Sequence, residues 1–241
     1  MVERKIESRL KSFFEQNNRK ALLVTGARQI GKTYSIRRFG KAHFKSFVEI
    51  NLIENKQAKK IFDLAENSKE ILLRISALSD QPLIPGETLI FIDEVQEAKE
   101  LVTAIKFLVE DGRYQYVLSG SLLGVELQDI RSIPVGYLEI FEMFPLDLEE
   151  FALANGVLPS ILDNLRECFE RRQPVDNLIH EKMMELFRLY LIVGGMPAAV
   201  TAYLSTNDLK KVTQSQQEIL RLYKKDIAKY DPNNKLYLED I

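Results

Sequence analysis

At 241 residues, with 46% hydrophobic and 28% charged residues, the chain has the composition of one large globular domain or of one domain with an appendage. A net charge of -2 gives no global attraction for nucleic acid or an anionic membrane. One cysteine (Cys168) and two histidines (His43 and His180) exclude an internal disulfide and a histidine-built metal cluster.

The N-terminal "MVERKIESRLKSFF" is charged from the start, without the apolar centre of a signal peptide, and Ile6, Leu10, Phe13 and Phe14 recur at helical spacing. "ALLVTG" reads as a buried strand, "KTYSIRRFGKAH" as a helix and "FKSFVEINL" as a second strand. The basic residues Arg37, Arg38, Lys41 and Lys45 read as a solvated face. Two helical stretches are expected around 56–66 and 69–78, then the loop "DQPLIPGE" and a third strand, "TLIFIDEV". A helix, "KELVTAIKFLVEDG", leads to a fourth strand, "YQYVLSGS", and "VGYLEIFEM" is the candidate fifth. Apolar strands alternating with helices predict an α/β fold with a parallel sheet covered on both faces. From 148 onward only helical patterns occur. The expected organisation is therefore a core over 1–147 and a helical region over 148–241. No run of eighteen apolar residues exists, so no membrane span is expected and the cytoplasm is the expected location.

Between the first strand and its helix stands "GARQIGKT". It satisfies the pattern of Gly, four residues, Gly, Lys and then Ser or Thr, at Gly26, Gly31, Lys32 and Thr33. Chance produces the bare pattern in roughly one such chain in a hundred, and a strand before it with a helix after it is the setting that phosphate binding requires. The backbone through Ala27, Arg28, Gln29 and Ile30, into the helix start at Tyr34, would converge on phosphates. Lys32 would supply a point charge, and the Thr33 hydroxyl would ligate Mg²⁺. "LIFIDEVQ" supplies Asp93 as a second metal residue and Glu94 as the carboxylate that polarises the attacking water. "LSGS" offers Ser119, with Ser121 as the alternative, to sense the γ-phosphate; a plain turn is the competing reading. "GGMP" at Gly194–Pro197 reads as an interhelical turn rather than a helix start beside a nucleotide base.

The guanine-reading motif of GTPases is absent, which favours ATP. Together "TGARQIGKT", "LIFIDEVQ", "VLSGSLL", "LEIFEMFPLDLEEF" and "YLIVGGMP" resemble a prokaryotic family of AAA-type P-loop ATPases that carry a C-terminal domain of unknown function. That resemblance implies a five-stranded sheet of order 5-1-4-3-2 and ATP hydrolysis with Mg²⁺, driving a change in an unidentified protein partner or an appended domain. It also implies sites that are often completed by self-association. The family's Arg-rich turn before the fifth strand is reduced here to Arg131, either an arginine finger or a salt-bridged surface residue. "KLYLEDI" reads as the start of a further helix, and the expectation is that the sequence is truncated before the family's appended domain, an unusually short member being the alternative. A nucleotide-gated binding module with negligible turnover is the alternative function. A small-molecule kinase is disfavoured by Glu94.

Overall fold

The computed structural model describes residues 4–16, 19–55, 57–65, 67–120 and 136–230. Two compact units divide there, one from Arg4 to Phe144 and one from Pro145 onward.

The first unit is built on a five-stranded, all-parallel sheet: β1 (Ala21–Thr25), β2 (Ser46–Asn51), β3 (Thr88–Asp93), β4 (Gln115–Ser119) and β5 (Leu138–Glu142), in the order β2-β3-β4-β1-β5. Read from the other edge this is 5-1-4-3-2, the order of a P-loop NTPase fold. Its helices are α1 (Lys5–Glu15), α2 (Lys32–His43), α3 (Ser68–Leu78) and α4 (Lys99–Asp111). Alternate strand residues point to opposite faces. Leu23, Ile90, Ile92 and Leu118 pack against Ile71, Ile75, Leu101, Ile105 and Leu108 of α3 and α4. Their neighbours Leu22, Val24, Leu89, Phe91 and Val117 are equally buried. On the sheet, α2 lies across β2, β3 and β4, and α1 packs on α2.

Burial explains which strands read as uninterrupted apolar runs. The central strands β1, β3 and β4 are covered on both faces, whereas the edge strands β2 and β5 alternate or stay half-exposed. Around 56–66 the expected helix is replaced by a short 3-10 turn, Ala58–Ile61. Leu64 adopts a left-handed φ of 50°, and Arg74 of α3 donates hydrogen bonds to the carbonyls of Lys60, Ile61 and Asp63. One turn suffices to bury Ala58, Ile61 and Phe62. A side chain from α3 then satisfies the carbonyls that a longer helix would have used.

The second unit is helical: α5 (Leu148–Ala154), α6 (Pro159–Glu170), α7 (Asn177–Val193), α8 (Pro197–Thr206) and α9 (Leu209–Tyr230). Helix starts are chemically marked. Asp147 and Glu150 form a capping box on α5, Asp176 accepts from Leu178 and Ile179 on α7, and Pro159 and Pro197 open α6 and α8. Its core gathers Leu146, Phe151, Val193, Ala199, Val200 and Val212. "GGMP" is the turn between α7 and α8.

Candidate functional site

The loop after β1 is shaped by backbone that side chains disfavour. Gly26 has φ 135° and Gly31, at the start of α2, φ 94°; Gln29 between them is left-handed at φ 65°. A Cβ on Gly26 would run into the carbonyl of Met143, the residue after β5, which itself donates its N–H to Thr25 O at 2.9 Å. The loop is thus pressed against the chain leaving the fifth strand. Ile30 points inward and is fully buried, whereas Ala27, Gln29 and Tyr34 are exposed.

Lys32 folds back across this loop. Its Nζ donates to Gly26 O at 2.8 Å and to Ala27 O at 2.7 Å, and the residue is 8% exposed. Burial holds its pKa below the ordinary lysine value. The fields of Glu94 and Asp93 oppose that shift, and Arg28 adds to it. A desolvated ammonium whose hydrogen bonds go to neutral carbonyls is a cation suited to an incoming anion. The N-terminus of α2 begins at the same residue, with its free amides facing the loop.

Asp93 ends β3, and its carboxylate collects three donors. Thr33 Oγ1 donates to Oδ2 at 2.8 Å, Ser119 Oγ donates to Oδ1, and the Glu94 N–H reaches Oδ1 at 3.1 Å. Ser119 ends β4, beside β1, and is fully buried. Thr33, Asp93 and Ser119 thus meet at the carboxyl ends of adjacent parallel strands, the position where open α/β sheets hold ligands. Ser119 lies on Asp93 rather than on Glu94. Glu94 follows in left-handed backbone, φ 61° and ψ 49°, and accepts a 2.6 Å hydrogen bond from Gln96 Nε2. Arg131 and Ser121 lie outside the described residues.

Two participants are given no role by the sequence reading. Arg4, 7% exposed, donates from Nη1 to Ile30 O at 2.8 Å and from Nη2 to Phe144 O at 2.7 Å, so the N-terminal segment holds the loop from behind. In "MVERK" it reads as one more solvated charge. Gln96 closes the "LIFIDEVQ" motif, which carries the family resemblance without assigning that residue a role.

A family profile described as an AAA domain matches residues 18–152. The chain belongs to the AAA family. A second profile, a domain of unknown function (DUF8612), matches residues 184–241, so an AAA domain is followed by an uncharacterised one, as the family resemblance implied, but within these residues rather than only after them. No curated protein matches the chain. Among solved structures, PCH-2 of C. elegans is similar with a TM-score of 0.48 and 13% identity, over 91% of this chain and 70% of that one. Membership makes this a nucleotide-binding, ATPase-like protein. No helix among the described residues is long and apolar enough to cross a membrane.

The AAA core also fits the metal such sites use. No group of three or more His, Cys, Asp or Glu residues is placed to hold an ion among the described residues. Mg²⁺ beside phosphates needs only one or two protein oxygens, with the remaining positions filled by water and phosphate. The paired Thr33 hydroxyl and Asp93 carboxylate offer that donor set.

Proposed function

We propose that the chain binds ATP with Mg²⁺ over the core 1–147 and hydrolyses it, driving a change in a protein partner or in the region from 148 onward. The observation that carries this reading is the buried Lys32 ammonium, held by two loop carbonyls across from the Asp93–Thr33–Ser119 cluster. Lys32 exchanges those carbonyls for β- and γ-phosphate oxygens, and the amides from Gly26 to Thr33 complete the cradle. Thr33 and Asp93 hold Mg²⁺, which offsets phosphate charge when bound. Ser119 fixes Asp93 and reports on the γ-phosphate. Glu94 accepts a proton from water as that water's oxygen bonds to the γ-phosphorus; the bond from phosphorus to the bridging oxygen breaks and ADP leaves.

Lys32→Ala removes the mobile cation and is expected to abolish or sharply weaken ATP binding in a calorimetric titration. Unchanged affinity would remove the phosphate-loop assignment. Single- and multiple-turnover phosphate release then separates an ATPase from a nucleotide-gated binding module. The ATPase releases phosphate repeatedly from each chain, whereas the module stops at or below one equivalent.

A further inference from the structure

Gln96 lies in the turn Val95–Glu97, which begins directly after Glu94. Its Nε2 donates to Glu94 Oε2 at 2.6 Å, while its Oε1 is buried and has no partner among the described residues. Rotating the carboxamide by half a turn would set that oxygen against the carboxylate, so the charge on Glu94 selects the orientation. A hydrogen bond donated to a carboxylate is among the stronger kinds, and it acts here on a flexible side chain. Glu94 sits on a left-handed corner, from which its carboxylate has several rotamers to choose among. A general base must be held within hydrogen-bond reach of the proton it takes, so that choice matters to rate.

We propose that Gln96 is a positioning residue for Glu94, its carboxamide fixing the carboxylate that accepts the proton from water. The inference rests on the ATPase reading given above. Packing does not account for a glutamine at this place. A buried acceptor without a partner works against stability, and an apolar residue of similar size would avoid that cost.

Two measurements test it. In the nucleotide-free protein, the side-chain amide resonance of Gln96, assigned by its disappearance in Gln96→Leu, shifts in Glu94→Ala. In hydrolysis, Gln96→Leu lowers kcat about 10-fold, a part of the ~10²–10⁴ that a placed general base contributes. KM and ATP affinity stay within about twofold, and Tm does not fall. Gln96→Glu, which sets a like charge beside Glu94, lowers kcat at least as far. In a Glu94→Gln background Gln96→Leu has no further effect, measured at single turnover with radiolabelled ATP. An unmoved resonance, an unchanged kcat, or an equal loss in both backgrounds overturns the proposal. If the resonance shifts but Glu94→Gln hydrolyses like the unaltered chain, it is the role of Glu94 that fails, and the positioning role goes with it.

Discussion

Asp93 and Glu94 are adjacent in sequence yet meet different surroundings, and their difference follows from the end of β3. Asp93 is the last strand residue, 3% exposed, and takes donors from Thr33, Ser119 and the next amide. Glu94 follows in left-handed backbone, and its carboxylate accepts from Gln96. Neutralising each therefore has a different consequence. Glu94→Gln keeps the shape but cannot accept a proton, so ATP and Mg²⁺ still bind while phosphate release falls by ~10²-fold or more. Asp93→Asn turns one carboxylate oxygen into an NH₂ group that faces the Thr33 or the Ser119 hydroxyl. It disturbs the cluster proposed to hold Mg²⁺, so Mg²⁺-dependent affinity is expected to fall as well. Calorimetry with and without Mg²⁺, beside a phosphate-release assay, distinguishes them. Indistinguishable behaviour would show that the two carboxylates do not divide the work.

At the scale of elements, legibility tracked burial. β1, β3 and β4 are covered on both faces, so their sequences are apolar throughout and could be read directly as buried strands, while their order in the sheet came with the family resemblance. Gly26, Gly31, Lys32 and Thr33 were legible because backbone geometry and charge restrict each position to few residue types. The roles of Arg4 and Gln96 were not, because a side chain that reaches a carbonyl 26 residues away or turns back onto a residue two before it leaves no periodic trace. The shortened helix at 58–61 was hidden for the same reason, since Arg74 of a later element satisfies its carbonyls. "GGMP" shows the opposite case, where composition announces a turn but not why it takes two glycines. Gly194 ends α7 at φ 73° and ψ -174°, a region essentially restricted to glycine. Gly195 has no such constraint, but its Cβ would enter the backbone of Leu146, whose N–H donates to Gly195 O at 2.7 Å. Gly194→Ala and Gly195→Ala should each destabilise by about 1–3 kcal/mol, the first through backbone strain and the second through overpacking. Urea unfolding measures both; a change in Gly195→Ala below ~0.5 kcal/mol, the range of neutral surface substitutions, would show that the α7–α8 turn does not depend on this close approach.

For the molecule as a whole, the question is where the remaining positive charge comes from. Cleaving the γ-phosphate spreads negative charge over its oxygens, and an arginine that offsets it is worth ~10³–10⁵ in rate. Within the first unit several arginines are already committed: Arg4 to the carbonyls of Ile30 and Phe144, Arg37 to Glu49, and Arg38 to Glu7. Arg28 stands on the loop itself, where its charge adds to the lowering of the Lys32 pKa that burial imposes. AAA-type sites are often completed between copies, and Arg131 is the residue the family resemblance puts forward for that role. If a neighbouring copy supplies it, turnover per chain rises with protein concentration, because the completed site exists only in the assembly. A mixing experiment makes the same point without relying on concentration. Arg131→Ala keeps Glu94 and loses the arginine; Glu94→Gln keeps the arginine and loses the base. Each alone should hydrolyse ATP poorly, yet an equimolar mixture should exceed the mean of the two, since a site with Glu94 from one chain and Arg131 from the other is whole. Turnover that is constant on dilution, together with a mixture that gives only the mean, would place the entire site within one chain and assign Arg131 to the surface.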